Sequence, residues 1–255
     1  MQPNPVKAAV NNGGVSIGTF LFEFNTPGIV RIVAEAGADF VLCDMEHSGW
    51  SFETIRRLTA SAPETIVPIV RVPAGDYNFV ARALDMGARG VMVPMVGSAE
   101  HARRIVNAAK YPPLGRRGCA FTMPHDGYTG GSMQEKIESA NRETLIIVQI
   151  ETREGLEQVD KIAAVEGVDV LWIGQTDLTA SLGIAGQFDS PEFFKAVDAV
   201  AAACERHGKT AGYMPLSHDE TKDFRDRGFR MLACGGDLWI FKSALRKEIT
   251  AAREL

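Results

Sequence analysis

Three ionisable residues follow an apolar run early in the chain. The run Phe40 to Cys43 leads directly into Asp44, Glu46 and His47. A short apolar run between turn residues predicts a buried strand, and parallel α/β enzymes carry their catalytic groups where such strands end. His47 is therefore a candidate general base, because the charge of a histidine changes near neutral pH. The alternative is a histidine with a surface or structural role.

Arg71 ends another apolar run and is followed by Val72-Pro73. A guanidinium at a strand end can bind a carboxylate or an oxyanion through two parallel hydrogen bonds. A structural ion pair with Glu46 or Asp44 is the alternative, and the sequence leaves both open.

Two carboxylates follow the ends of two other predicted strands. Glu151 comes after Leu145 to Ile150, and Asp177 comes after Val170 to Ile173. Such a pair is a candidate site for Mg²⁺ or Mn²⁺, which take oxygen ligands and keep positions for water and substrate. Alternatively, both residues are solvated loop carboxylates or helix caps.

The predicted strand ends lack the residues for two kinds of covalent catalysis. A Schiff base requires a desolvated lysine there, and the nearest lysine, Lys209, comes before its strand rather than after it. The nucleophile motif G-x-S-x-G is also absent. The pattern favours an enolate stabilised by a metal ion over an imine.

A repeated junction indicates how these residues are positioned. Gly37, Gly87, Gly167 and Gly228 each follow a helical pattern and precede a short turn and an apolar strand. Glycine suits the residue just after a helix, because it adopts the left-handed conformation without a steric clash. Four such junctions predict repeated βα units.

Eight strands can be counted around these junctions. They are expected at Val15 to Phe22, Phe40 to Cys43, Ile66 to Val70, Gly90 to Val93, Leu145 to Ile150, Val170 to Ile173, Thr210 to Tyr213 and Met231 to Cys234. Most are apolar on both faces, as parallel strands covered by helices are. Eight of them in 255 residues predict one (β/α)8 TIM barrel covering residues 1–255. An open doubly wound sheet is the alternative, but no G-x-G-x-x-G follows a strand.

The connections between strands also carry signals. Helix starts are expected at Thr26 with Pro27 at the first helical position, and at Ser51, Asp76, Ser98 and Thr152. Two connections, Tyr111 to Asn141 and Thr179 to Ser190, are long enough to predict loop excursions. A last amphipathic helix is expected from Lys242 to Leu255.

Composition excludes several classes of protein. The net charge of -5 gives no basic surface for nucleic acid, and no apolar run reaches the roughly 18–20 residues of a membrane span. No signal peptide is visible at the N-terminus. Cys43 and Cys234 lie in apolar strands, so we expect buried, reduced thiols and a cytoplasmic location.

Six motifs, in order along nearly the whole chain, resemble the HpcH/HpaI aldolase family. These proteins are class II pyruvate-dependent aldolases of the phosphoenolpyruvate/pyruvate barrel superfamily. The motifs are Asp44-Met45-Glu46-His47, Arg71-Val72-Pro73, Leu84-Asp85-Met86-Gly87-Ala88, Pro112-Pro113-Leu114-Gly115-Arg116-Arg117-Gly118, Gln149-Ile150-Glu151-Thr152 and Gly174-x-x-Asp177-Leu178.

The resemblance implies a binding mode for the substrate. Glu151 and Asp177 would ligate Mg²⁺, Mn²⁺ or Co²⁺, which the pyruvoyl end of the substrate would chelate. Gln149, together with the backbone N–H groups of Thr176 and Asp177, would position that end. Arg71 would stabilise the developing enolate oxygen.

The resemblance also implies a base and an assembly. His47 would take the hydroxyl proton, through a water molecule. Asp44 and Asp85 would raise the basicity of His47, with Asp85 reaching in from a neighbouring subunit. The family implies a homo-oligomer, namely a hexamer built as a trimer of dimers that exchange the C-terminal helix.

The expected reaction is the reversible cleavage of 4-hydroxy-2-oxo acids to pyruvate and an aldehyde by a metal-dependent lyase of aromatic catabolism. The alternatives are decarboxylation of a 2-oxo acid such as oxaloacetate and a barrel that only binds a metabolite. The sequence departs from the family pattern at Gln175, Thr176 and Ser48-Gly49-Trp50. These departures concern the lining of the pocket and therefore substrate identity. Trp50 and Phe121 are expected to limit the aldehyde side.

Overall fold

Eight parallel strands close into one barrel. A computed structural model describes residues 2–254. The strands are β1 (Ser16–Leu21), β2 (Phe40–Asp44), β3 (Val67–Arg71), β4 (Gly90–Val93), β5 (Leu145–Ile150), β6 (Val170–Ile173), β7 (Thr210–Tyr213) and β8 (Phe229–Gly236). Each strand pairs with the next, and β8 pairs with β1. The predicted (β/α)8 fold is confirmed, and the predicted strand ends are within two residues of those observed.

Twelve helices accompany the strands among residues 2–254. They are α1 (Pro5–Asn11), α2 (Gly28–Glu35), α3 (Phe52–Ser61), α4 (Tyr77–Asp85), α5 (Ala99–Ala109), α6 (Met133–Glu143), α7 (Arg153–Glu157), α8 (Val159–Ala163), α9 (Gln175–Leu182), α10 (Pro191–His207), α11 (His218–Asp226) and α12 (Asp237–Arg253). No helix in this part of the chain has the length and hydropathy to cross a bilayer.

Two apolar layers hold the barrel together. Side chains such as Phe40, Leu42 and Trp172 fill its interior, and Val6 and Val10 of α1 join them from the N-terminal end. A larger layer packs the outer faces of the strands against the helices. Because both faces of the strands are covered, β2 to β6 are buried along their whole length.

Helix starts agree with most of the expected caps. The side chains of Ser51, Ser98 and Thr152 accept hydrogen bonds from the first turns of α3, α5 and α7. Asp76 precedes α4 without a side-chain bond to it. The prediction for Thr26 is wrong by one residue, because α2 begins at Gly28 and Pro27 takes the cap position.

The four glycine junctions have the backbone conformation expected of them. Gly37, Gly87, Gly167 and Gly228 have φ between 89° and 103°. Three of them directly follow the last capping residue of a helix, whereas Gly167 comes three residues after Ala164, the cap of α8. At these points the chain leaves a helix and re-enters the barrel.

Other segments differ from expectation. The predicted excursion Tyr111 to Asn141 contains a 3₁₀ turn, Pro124–Asp126, and most of α6, while α9 occupies the start of the predicted loop 179–190. The last helix begins earlier than expected, at Asp237, and its expected end at Leu255 lies outside the described residues. Cys43 is buried as predicted, but the prediction for Cys234 is wrong, since its side chain is exposed near the rim of β8.

Candidate active site

A cavity of about 330 Å³ lies where the C-terminal ends of the strands converge. It is lined by Phe20, Phe22, His47, Arg71, Gln149, Trp172, Gly174, Gln175, Thr176, Asp177, Met214 and Trp239. The structure thus brings together five of the predicted site residues: His47, Arg71, Gln149, Thr176 and Asp177. A closed barrel does this because all its strands end at one rim.

Arg71 joins two neighbouring strand ends. It is opposite Asp44 in the register of β2 and β3, and its Nε donates to Asp44 Oδ1 at 2.5 Å. Its Nη1 lies 3.2 Å from Glu46 Oε2. Its guanidinium also lies 5.3 Å from the ring centre of Phe20 in the cavity wall. Arg71 therefore forms the structural ion pair and also lines the cavity, while its binding of a carboxylate or oxyanion ligand stays a prediction.

His47 is held by its backbone and leaves its ring free. Its N–H donates to Asp44 Oδ2 at 2.9 Å, and the N–H of Glu46 donates to Asp44 Oδ1 at 3.2 Å. The imidazole is 58% exposed, and its Nε2 lies 3.6 Å from Glu46 Oε2. Asp44 thus positions the segment that carries His47, while Glu46 supplies the carboxylate beside the ring. The sequence had suggested Asp44 for that second role.

Glu151 lies behind the cavity wall and is almost fully buried. Its Oε1 accepts a 2.5 Å hydrogen bond from the N–H of Met95, and its Oε2 accepts one from Gln149 Nε2. Burial, with smaller contributions from the negative charges of Glu46 and Asp177, raises the pKa of Glu151 to about 7 against the opposing effect of those two hydrogen bonds. Burial likewise raises the pKa of Glu46, against the opposing effect of Arg71. The negative charges of Glu46, Glu151 and Asp177 therefore repel one another.

This environment fits a divalent cation. One buried oxygen, Gln149 Oε1, has no hydrogen-bond partner within residues 2–254. Gly174 keeps space open beside the carboxylate, because a Cβ there would lie 2.2 Å from Glu151 Oε2. No group of three or more His, Cys, Asp or Glu side chains forms a ligand set in the described chain. Glu151 and Asp177 would therefore hold the ion as a pair, with water and substrate as the other ligands.

The N-terminus of α9 faces the same cavity. Gly174 caps this helix, and its first intrahelical bond runs from the N–H of Leu178 to Gly174 O. The N–H groups of the three residues between them have no acceptor in the helix, so they favour an anion at this point. The Gln175 side chain donates to Met214 O at 3.0 Å. The departure at Gln175 thus joins the loops that follow β6 and β7.

Asp85 lies at the opposite end of the barrel from His47. It ends α4, and its Oδ1 accepts from Nη2 of the fully buried Arg117 at 2.6 Å. Phe121 also lies in that region, with its ring centre 5.6 Å from that of Tyr111, and it does not line the cavity of its own chain. A contribution of Asp85 to a neighbouring subunit stays a prediction.

A second cavity, of about 590 Å³, adjoins the first. The two share Phe22, His47 and Trp239, and Trp50 lines the second, while its predicted role on the aldehyde side stays a prediction. Asp237 fixes the backbone beside this cavity. Its carboxylate accepts hydrogen bonds from the N–H groups of three consecutive residues, 22–24, at 2.8 to 3.0 Å.

Sequence reasoning assigned no role to Met95, Gly174 or Asp237. Met95 acts through its backbone N–H, which a left-handed conformation with φ of 56° aims at Glu151. Gly174 matters because it has no side chain, which leaves space beside the Glu151 carboxylate. Two of these three residues carried a signal in the sequence: Gly174 belongs to the motif Gly174-x-x-Asp177-Leu178, and Asp237 is a carboxylate after two glycines at a strand end.

The chain is similar to known proteins along nearly its whole length. The sequence model of the HpcH/HpaI aldolase/citrate lyase family matches residues 17–244. A 5-keto-4-deoxy-D-glucarate aldolase of Klebsiella pneumoniae is 34% identical over 246 residues, which cover 96% of this chain and 95% of that protein. A hydroxypyruvate/pyruvate aldolase of Cupriavidus necator is 33% identical over 252 residues, covering 98% and 93%. The crystal structure of an HpcH/HpaI aldolase from Desulfitobacterium hafniense matches with a TM-score of 0.93 and 35% identity, covering 98% of this chain and 96% of that one.

Proposed function

The chain belongs to the HpcH/HpaI aldolase/citrate lyase family, and on this premise we propose that it cleaves 4-hydroxy-2-oxo acids reversibly to pyruvate and an aldehyde. The relatives named above are aldolases, so the predicted enzyme class, a carbon–carbon lyase, is confirmed. The observation that carries the proposal is a single cavity bordered by Arg71, His47 and Asp177, with Glu151 directly behind its wall.

The pyruvoyl half of the substrate would bind at the α9 side of the cavity. The N–H groups of Thr176 and Asp177 suit its carboxylate, and Gln149 and Arg71 flank its keto oxygen. Glu151 and Asp177 would hold Mg²⁺, Mn²⁺ or Co²⁺, which when bound supplies a Lewis acid for that oxygen.

The remaining residues then account for the bond cleavage. His47 accepts the proton of the C4 hydroxyl, the C3–C4 bond breaks, and C4 becomes the aldehyde carbonyl. The electron pair of that bond forms the C2–C3 double bond of the pyruvate enolate, whose oxygen is stabilised by Arg71. A proton then added to C3 completes pyruvate, so no further reactant is consumed. Glu46 stabilises the protonated ring of His47 from 3.6 Å.

Pyruvate release tests this proposal directly. Chelator-treated protein is assayed with a series of 4-hydroxy-2-oxo acids, with and without each of the three metal ions. We expect release that depends on the ion. A catalytically silent barrel would release no pyruvate under any of these conditions.

Replacing His47 separates cleavage from decarboxylation. In His47→Ala we expect kcat/KM for cleavage to fall by about 10²–10⁴, the usual contribution of a general base. Decarboxylation of oxaloacetate has no hydroxyl proton to remove, so it should be far less affected. Undiminished cleavage by the variant would refute the role of His47.

We further propose a homo-oligomer in which α12 is exchanged and Asp85 acts in a neighbouring subunit. Large apolar side chains on α12, including Trp239 and Phe241, are 48% and 55% exposed, which supports an interface there. Light scattering gives the number of subunits, for which we expect six. Subunits of inactive His47→Ala and Asp85→Ala proteins, unfolded and refolded together, should regain activity only if Asp85 acts across subunits.

A further inference from the structure

The second cavity, which adjoins the proposed site for the pyruvoyl half of the substrate, has few charged side chains in its lining. It is lined by Phe22, Glu23, Asn25, His47, Ser48, Gly49, Trp50, Leu238 and Trp239. No lysine or arginine of residues 2–254 is in this lining, and Glu23 is its only carboxylate. The cavity is therefore lined by polar and aromatic side chains and has, among the described residues, one carboxylate and no lysine or arginine.

Given the proposed function, the location of this cavity indicates which part of the substrate it would bind. The pyruvoyl half lies toward Gln149 and α9, and the carbon with the hydroxyl lies at His47. His47 borders both cavities. The part of the substrate beyond that carbon, which becomes the aldehyde, therefore extends into the second cavity.

Two polar side chains in the second cavity are free to bind a ligand. Neither the Glu23 carboxylate nor the Asn25 amide makes a hydrogen bond or ion pair within residues 2–254. The backbone of Glu23 is nevertheless held, because its N–H donates to Asp237 Oδ2 at 3.0 Å. The Ser48 hydroxyl is already engaged, since it donates to Asp44 O at 2.5 Å.

We infer that this cavity selects uncharged, hydroxylated aldehydes over aldehydes that carry a carboxylate, with Glu23 as the specificity-determining residue. The Glu23 carboxylate accepts hydrogen bonds from hydroxyl groups and repels a second anion. Asn25 offers both a donor and an acceptor. The substrate would then carry one carboxylate only, the one on its pyruvoyl half.

The inference is tested in the direction of condensation, with pyruvate and three aldehydes. D-glyceraldehyde is neutral and hydroxylated, propanal is neutral and apolar, and succinic semialdehyde is anionic. We expect the wild-type enzyme to prefer D-glyceraldehyde in kcat/KM by about tenfold over each of the others, the scale on which one polar or charged contact discriminates. The preference should appear mainly as a lower KM for D-glyceraldehyde than for the other two aldehydes.

Two substitutions of Glu23 change the charge of the second cavity: one removes the negative charge and the other replaces it by a positive charge. Glu23→Gln should raise the ratio of kcat/KM for succinic semialdehyde to that for D-glyceraldehyde about threefold, and Glu23→Lys by more than about tenfold. Glu35→Gln is the matched control, because Glu35 is an exposed carboxylate at the last residue of α2. It should leave the ratio at the wild-type value. If Glu23→Lys does not fold, Glu23→Gln alone decides the question.

The failure of this inference differs from the failure of the proposed function. Exchange of the pyruvate methyl protons in heavy water requires the pyruvate site but no aldehyde. If exchange and condensation occur but the ratio is the same in the Glu23 variants, the inference is overturned and the aldolase reaction stands. A wild-type preference for succinic semialdehyde overturns it equally. If neither exchange nor condensation occurs, the proposed function fails, and the inference with it.

Discussion

Replacing Glu151 by Gln removes one negative charge from the buried carboxyl groups of the site and changes almost nothing else. The new side chain has the same shape, and its oxygen can still accept from the N–H of Met95. Its amide would face Gln149, whose unpartnered Oε1 can rotate to accept from it. The variant therefore isolates the free energy of holding a charge at this position.

The magnitude follows from the pKa of Glu151. The carboxyl ionises near 4.5 when exposed and at about 7 in the folded protein, mainly because it is buried. Below pH 4.5 the Glu151 carboxyl group is protonated in both the folded and the unfolded protein, so its burial causes no loss of stability. As the pH rises from 4.5 through 7, only the unfolded chain ionises readily, so stability is lost. At about 1.4 kcal/mol for each pH unit, the loss is about 1 kcal/mol at pH 5 and about 3 kcal/mol at pH 8.

Urea unfolding of chelator-treated proteins between pH 5 and 8 measures this loss. Glu151→Gln should be more stable than the wild type by about 3 kcal/mol at pH 8 and by about 1 kcal/mol at pH 5. Glu35→Gln, an exposed control, should follow the wild type at every pH. Mg²⁺ or Mn²⁺ should then stabilise the wild type more than Glu151→Gln. If wild type and variant show the same pH dependence, Glu151 is not strained by burial and the reasoning is wrong.

Two further substitutions test the same site. Gly174→Ala places a Cβ 2.2 Å from Glu151 Oε2 and should abolish both metal-induced stabilisation and pyruvate release. Gly28→Ala, which meets no atom within 4 Å, is the control and should be silent in both assays. Arg71→Gln leaves Asp44 buried without its partner, so urea unfolding should show a loss of about 3–5 kcal/mol at neutral pH. A loss below about 1 kcal/mol, typical of a surface pair, would show that the pair is not structural.

The strands and the fold were accessible from sequence because their signals are local. An apolar run, a glycine with positive φ and a capping side chain each act within a few residues of chain, as at Gly37 and Ser51. Once eight such units are counted, closure places every strand end at one rim. Arg71 and Asp177 could therefore be assigned to one pocket before any distance was known.

Some hydrogen-bond partners in the site come from segments that are far apart in sequence. Glu151 receives its hydrogen bond from the backbone of Met95, 56 residues earlier. Asp237 binds N–H groups of the loop that follows β1, more than 210 residues away. Backbone groups have no residue-specific signature, so no sequence pattern could reveal these contacts.

For Asp44, Glu46 and His47, the amino-acid sequence was enough to predict that ionisable side chains follow a buried strand of a barrel. The separate roles of these three residues depend on contacts that form in the folded protein. Asp44 is fully buried and is engaged by Arg71 and by backbone N–H groups, so the partly exposed Glu46 is left beside the ring of His47. Burial and register across two strands set this outcome, because a buried carboxylate requires hydrogen-bond donors and the register places Arg71 opposite Asp44.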